Sequence, residues 1–553
     1  MIARAESWSA LRASFRWDLP ARFNMGAALI DAHRADAIAV IQRLPDASLR
    51  RWTVGELRGQ ANRLANVLVT HGIARGDRVG VLLPQAPETV AAHIAIAKAG
   101  MVTVPMTAQF GADALAFRLG DCAARAVVTD AAGAAKLAAL RDSLPALELV
   151  LSIDGAGEGG AVGYHALLER ASDRFATVDT AADDPALLIY TSGTTGPPKG
   201  ALHGHRVLAG HMPGNELLLG HFPQPGDVFW TPADWAWIGG LGSGVWPALH
   251  HNVPLVAWRM ARFDPEEALA FMAEAGVTCG FVPPTALKTF RTVPDIARRF
   301  PHRLRVMFAG GEAFGAELTD WVRGALSPVL NQGFGQTEAN LATINAAPGP
   351  EGPPGALGRA VPGRDVAILD AGGNRVAAGE LGDICMAAPD PIHFLGYWNR
   401  PDATAGKYRE GWDGRRWLVL GDTGRQDEEG WFWFVGRADD VIKTAGYRVG
   451  PGEIEDCLIA HPAVRMAAVV GVPDARTGER IKAFIILNDG VAPHADLTAS
   501  IQTHVRTRLA AYQYPREVEY VAELPLTTTG KIQRKVLRER EAAAPPSPTS
   551  PRA

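Results

Sequence analysis

The sequence predicts an α/β protein. Its large N-terminal domain holds two parallel-sheet α/β subdomains plus a small β-rich subdomain, and a small α+β C-terminal domain follows. Three observations predict this. A chain of 553 residues is too long for one hydrophobic core. Through its first half, short β-branched apolar runs alternate with helical stretches, the pattern of parallel strands covered by helices. Near Pro350 the texture changes, with dense Gly and Pro and shorter strand-like runs.

The elements follow in order. An apolar run at Arg78–Leu83 ends at Pro84, a helix is predicted from Glu88 to Lys98, and a β-branched run follows at Met101–Pro105. A helix near Ala112–Gly120 and a strand at Ala126–Thr129 repeat the pattern. A second series of strands is predicted at Ala186–Tyr190, Val253–Ala257, Cys279–Val282, Arg305–Phe308 and Val329–Gly333. The β-rich part carries Asp365–Leu369, Asp383–Met386 and Trp431–Val435. Beyond Gly436, a helix over Gly452–Ala460, strands at Met466–Gly471 and Ala483–Leu487 and a basic end read as a separate domain. The expected boundaries are 1–438, 439–541 and a Pro/Ser/Ala-rich disordered tail at 542–553.

Hydrophobic residues make up 47% and charged ones 21%, an ordinary soluble balance. A net charge of −4 leaves no electrostatic footprint for nucleic acid or an anionic membrane, so any anionic ligand must be held by local groups. Cys122, Cys279, Cys385 and Cys457 lie far apart, which argues against a disulfide framework or zinc site and fits a reducing compartment. No apolar run reaches the length of a membrane helix. The arginines of Met1 to Arg16 suit a transit peptide, but Glu6 and the lack of a serine-rich run count against one. The expected location is the cytoplasm, and the oligomeric state is left open.

The densest chemistry lies at Tyr190-Thr-Ser-Gly-Thr-Thr-Gly-Pro-Pro-Lys-Gly200, after an apolar strand and before a helix-like segment. Ser192, Thr194 and Thr195 supply donors, Gly193, Gly196 and Gly200 let backbone N–H groups turn toward an anion, and Lys199 adds charge. That is the composition of a phosphate-cradling loop. It is not the usual triphosphatase loop, because Pro198 replaces the second glycine and Gly200 replaces the Ser or Thr after the lysine. A solvated Gly/Thr loop is the plainer reading. His203 with His205, and His250 with His251, lack partners spaced to complete a metal site. The run Gly239–Gly244 lacks the strand context of a dinucleotide fingerprint, and close helix packing is expected there.

The loop resembles the signature of the adenylate-forming superfamily, which contains acyl- and aryl-CoA synthetases, peptide-synthetase adenylation domains and beetle luciferases. Further stretches carry the resemblance in the right order. They are Phe308-Ala-Gly-Gly-Glu-Ala-Phe314, Asn331-Gln-Gly-Phe-Gly-Gln-Thr-Glu338, and Gly421-Asp-Thr-Gly424 with Gly436-Arg-Ala-Asp-Asp440. The last pair is Lys443-Thr-Ala-Gly-Tyr-Arg-Val449 with Thr527-Thr-Thr-Gly-Lys-Ile-Gln-Arg534. Over the whole chain the likeness is strongest to medium-chain acyl-CoA synthetases.

The resemblance implies residue roles. Thr191, Ser192, Gly193, Thr194, Thr195, Gly196 and Lys199 would hold phosphates. Gly311, Glu312 and Ala313 would line the adenine pocket, with Phe334 stacked on the purine and Gln336 nearby. Thr337 would offer its hydroxyl to the α-phosphate, and Glu338 is a hard oxygen ligand suited to Mg²⁺. Asp422 would accept both ribose hydroxyls, and Arg437 would reach the same sugar. Asp439 matches the hinge about which a mobile small domain swings. Lys531 resembles the lysine that bridges substrate carboxylate and nucleotide, and Gly446 and Arg448 match the face along which coenzyme A enters. Each has a plainer reading alone: a solvated turn at Glu312, core packing for Phe334, a helix cap for Thr337, an Asx-turn at Asp422, a surface ion pair for Arg437, and a basic surface end around Lys531.

The acyl pocket is expected around Trp237, Ile238, Gly239, Gly310 and Gly335. Short-chain members of the superfamily close this pocket with bulky residues where this chain has Gly239, Gly310 and Gly335. Three glycines are expected to leave room for a medium-chain fatty or aryl acid, and Gly335→Trp to shrink the pocket. The implied function is AMP-forming acyl-CoA synthesis from a carboxylic acid, ATP and coenzyme A, with Mg²⁺, through an acyl-adenylate. Two alternatives stand beside it: a ligase delivering to a carrier-protein thiol, and a nucleotide-binding protein that has lost catalysis.

Overall fold

The strand–helix alternation of the first half folds into an eight-stranded sheet. Its order is Gly396–Tyr397, Lys199–Gly204, Pro185–Thr191, Val102–Met106, Arg78–Leu82, Ala126–Thr129, Leu149–Ser152 and Val162–Gly163. From Pro185–Thr191 onward the neighbours run parallel, as helical crossovers require. The two strands at the other edge pair antiparallel. All four residues of Ala126–Thr129 are buried, as expected of a strand covered on both faces. Helix Pro87–Lys98 starts on a proline at its first turn and is buried along its whole length, so its apolar character runs all round.

The computed structural model describes residues 2–191, 197–260, 262–312, 314–346, 352–353, 355–437, 440–444, 447–474, 477–509, 513–526 and 532–543. A second sheet has fourteen strands. Its parallel part includes Leu255–Trp258, Phe229–Trp230, Cys279–Phe281, Val306–Gly310 and Leu330–Gln336. The β-rich strands do not stand apart from it. Ala356–Ala360 pairs with Ala339–Asn345 on one side and Phe432–Arg437 on the other, so the antiparallel strands extend the same sheet.

Beyond residue 440 a five-stranded sheet is covered by helices Pro451–Ile459, Ala495–Arg508 and Arg534–Ala543. Ile454, Leu458, Val469, Ala483 and Ile501 belong to a core distinct from that of the large sheets. The last helix includes Ala542 and Ala543, which corrects the start of the expected disordered tail; residues 544–553 lie outside the described residues. Among the described residues no helix is long and apolar enough to cross a membrane.

Candidate active site

The glycine–hydroxyl loop is flanked by Pro185–Thr191 and Lys199–Gly204, which pair antiparallel with Thr191 opposite Lys199. The flanks are therefore the two strands of a hairpin, and the next helix begins only at Val207. This corrects the expected strand-to-helix setting and removes the helix N-terminus from the phosphate argument. Ser192, Gly193, Thr194, Thr195 and Gly196 lie outside the described residues. The Thr191 hydroxyl donates to the Lys199 carbonyl at 3.4 Å, and Lys199 Nζ stands 5.4 Å from the centre of the Tyr397 ring.

Val306–Gly310 runs parallel to Leu330–Gln336 with Gly310 opposite Gly333, so Gly311–Glu312 and Phe334–Glu338 leave neighbouring strand ends together. Such carboxyl ends are where open α/β sheets bind ligands. Gly311 sits at φ +87° with nothing within 4 Å of where a Cβ would stand, so a flat ring can lie against its backbone. Phe334 is half-buried, and Ala313 lies outside the described residues. Thr337 and Glu338 form the turn into Ala339–Asn345. The Glu338 side chain is buried and accepts the Tyr397 hydroxyl, while its carbonyl takes the Phe394 N–H at 2.9 Å. Burial, then the Glu338 charge, pushes the Tyr397 phenol well up, which keeps it a donor.

Asp422 and Arg437 face each other across the hairpin of Arg416–Gln426 and Phe432–Arg437. Arg437 Nε lies 3.6 Å from Asp422 Oδ1, and the Gln336 amide donates to Asp422 Oδ2. Gln336, Asp422 and Arg437, distant in sequence, therefore meet. The sequence reading missed Lys407 beside them. Its ammonium donates to the Val419 carbonyl at 3.0 Å, on the strand that carries Asp422. A Cβ on Gly421 would stand 3.8 Å from both Lys407 Nζ and Arg437 Nη2. Burial lowers the Lys407 pKa; Glu338 and Asp422 pull it up, while Arg437 and Lys199 push it down. Tyr397 and Lys407 stand outside every motif. The only signal was the cluster of Phe394, Tyr397, Trp398 and Tyr408 in a polar stretch.

A model of AMP-binding enzymes matches residues 29–398, and one of the AMP-binding enzyme C-terminal domain matches residues 453–531. The chain belongs to the AMP-binding enzyme family. It is 35% identical over 503 residues to mouse acyl-coenzyme A synthetase ACSM4, mitochondrial, a match covering 89% of this chain and 84% of that one. Acetyl-coenzyme A synthetase of Bacillus subtilis (strain 168) is 33% identical over 501 residues, covering 90% and 86%. The anthranilate CoA ligase AuaEII in complex with anthranoyl-AMP has a TM-score of 0.86 at 28% identity, covering 95% and 98%.

In this AMP-binding enzyme Trp237 precedes the short helix Ile238–Gly240 and meets Phe110 edge-on at 6.0 Å. A Cβ on Gly239 would face the Phe281 ring at 3.2 Å, and Phe281 stacks on Phe308 at 4.9 Å, two residues before Gly310. Ile238 is buried beside them. The glycines are not equivalent, which corrects the expectation that all three open a pocket. A Cβ on Gly310 would stand 2.4 Å from the Gly333 carbonyl oxygen, and one on Gly335 would stand 2.3 Å from the Leu341 nitrogen. Backbone fills both places, and at Gly335 the hairpin register shifts between Phe334 and Gln336.

Asp439, Gly446 and Lys531 lie outside the described residues, as does the Arg448 side chain. The basic end near Lys531 is paired within the small domain: Arg534 meets Glu455 at 2.6 Å, and Arg538 meets Asp440 at 2.6 Å. His203, His211 and His393 are buried, and burial holds each at about 3, so all three are neutral.

Proposed function

We propose that this AMP-binding enzyme is an AMP-forming acyl-CoA synthetase acting on aryl or medium-chain fatty acids. The observation that carries this reading is the meeting of Gln336, Glu338, Lys407, Asp422 and Arg437 in one cleft beside the phosphate hairpin. A carboxylate acceptor for a ribose and cations for phosphate stand together there. The acid's carboxylate oxygen attacks the α-phosphorus and pyrophosphate leaves with the electron pair of the broken P–O bond. The sulfur of coenzyme A then attacks the acyl carbon, its proton is lost, and AMP leaves. The first step brings two negative groups together, so its barrier is met by fixed charges and alignment rather than by a proton shuttle.

Glu338 brings one buried carboxylate whose Oε1 takes the Tyr397 hydroxyl. A lone carboxylate completed by ligand phosphates and water suits Mg²⁺, so Glu338 would hold that ion, which would offset phosphate charge. We assign Thr337 to the α-phosphate, Lys531 to adenylation, Asp439 to the hinge at the 438/439 boundary, and Gly446 and Arg448 to the coenzyme A face. Trp237 beside Phe110, and the Phe281–Phe308 stack that faces Gly239, support the acid class; the glycines at 310 and 335 do not. Four free thiols support a cytoplasmic setting.

A panel of aryl and straight-chain acids, each with ATP, Mg²⁺ and coenzyme A, tests the reading through AMP formation. Benzoate-like or medium-chain acids should lead acetate. AMP formation with no acid, or ADP as the stoichiometric product, would overturn it.

A further inference from the structure

We propose that Lys407 is a catalytic residue whose ammonium binds the nucleotide α-phosphate in both half-reactions. The proposal rests on the acyl-adenylate reading above and gives one member of that cluster, Lys407, a specific role. An ammonium carries three donors. Among the described residues, that of Lys407 makes one hydrogen bond, to the Val419 carbonyl at 3.0 Å, and no ion pair. Two donors are left in a half-buried place, where they can be met by a ligand.

Position says what they are for. Lys407 Nζ and Arg437 Nη2 flank the gap left by the missing side chain of Gly421, one residue before Asp422. Asp422 marks the ribose and Glu338 the phosphates. A cation within electrostatic reach of both carboxylates stands over the group that joins sugar to phosphates, which is the 5′-phosphate. Lys199 stands against the Tyr397 ring, whose hydroxyl meets Glu338.

The chemistry needs such a group twice. In adenylation the α-phosphorus accepts a carboxylate oxygen as the bond to pyrophosphate breaks. In thioester formation a C–S bond forms, the C–O bond to phosphate breaks, the thiol proton leaves, and the electron pair stays on the AMP oxygen. Charge on the α-phosphate therefore grows in the second step, after a lysine carried by a swinging domain has moved away. Lys407 lies before the domain junction and stays with the nucleotide.

Equilibrium binding of AMP and of adenosine to the full chain tests this. Lys407→Met should weaken AMP by about tenfold or more while leaving adenosine within about twofold, and Lys407→Arg should restore part of the loss. The kcat for coenzyme A-dependent consumption of purified acyl-adenylate should fall in the Met variant without a matching rise in KM for coenzyme A. Unchanged AMP affinity would overturn the proposal, and so would an equal loss for adenosine, which would make Lys407 a structural residue. If Lys407→Met does not fold, Lys407→Gln carries the same comparison. A wild-type chain that favours AMP through Lys407 yet forms no thioester would sink the acyl-CoA reading and leave the phosphate contact standing.

Discussion

Lys407 is half-buried and Lys482 buried, and the protein treats them in opposite ways. In the small domain, Lys482 Nζ meets Glu517 and Glu519 at 2.9 Å and Glu541 at 2.8 Å. In the large domain, Lys407 meets one backbone carbonyl among the described residues. The same contrast holds at Lys98, whose ammonium is taken by Asp31 at 2.7 Å and Asn62 at 2.8 Å. A buried cation that the chain itself satisfies serves the fold, because leaving it bare costs several kcal/mol. One left open in a cleft serves a ligand. Lys482 closes on its own domain's carboxylates, whereas on the proposal above Lys407 keeps donors for the nucleotide.

The largest effect that can sharpen this contrast is expected at Lys531. Lys531→Ala should slow acid-dependent adenylation by about 10²–10³, or about 3–4 kcal/mol, and leave consumption of supplied acyl-adenylate nearly intact. Equal losses in both steps would mean that the small domain does not present two faces in turn. Next is Gly335. A methyl there would press on the Leu341 nitrogen and the Ala339 carbonyl, so Gly335→Ala should cost about 2–3 kcal/mol in urea unfolding. A stable variant with a shortened acid preference would instead restore the open pocket.

Arg534→Ala tests the small domain's internal pairing. Burial pushes the Glu455 carboxyl up even beside Arg534, so without the arginine it is expected to take a proton rather than remain a bare charge. That limits the loss of stability to about 2 kcal/mol, read from the urea midpoint, with adenosine binding unchanged. A loss of adenosine binding would tie this helix to the nucleotide cleft.

The smallest effect per residue concerns pH. His203, His211 and His393 titrate near 3 in the fold against 6.5 for a free histidine. Their folded values are depressed, so the unfolded chain binds more protons below about pH 6.5. Stability is full above that pH and falls as pH drops toward about 3, by at most about 1.4 kcal/mol per pH unit for each histidine. Urea midpoints that stay flat between pH 7.5 and 5.5 would show that these rings are not held neutral.

Much of this was legible in the sequence. Ala126–Thr129 was placed to the residue, because its short β-branched run is closed by Arg125 and Asp130, and helix Pro87–Lys98 to within one, because it opens on Pro87 and stops just before Gly100. Gln336, Asp422 and Arg437 were singled out on motif alone, and the structure joins them. Three things were not legible. The phosphate loop joins two paired strands where a strand followed by a helix-like segment was expected, and pairing across a hairpin shows only in three dimensions. Lys407 has no spacing signal, since what marks it is an ammonium that, among the described residues, meets one backbone carbonyl and no carboxylate ion pair. Gly335 is an empty side chain in sequence, and only the fold says whether a ligand or the backbone fills the emptiness.

The most direct test of the account is exchange of labelled pyrophosphate into ATP with coenzyme A left out. If the site that gathers Gln336, Glu338, Lys407, Asp422 and Arg437 forms an acyl-adenylate, exchange should proceed with Mg²⁺ and a suitable acid and stop when the acid is withheld. Exchange that needs coenzyme A, or none with an acid that supports AMP formation in its presence, would contradict it.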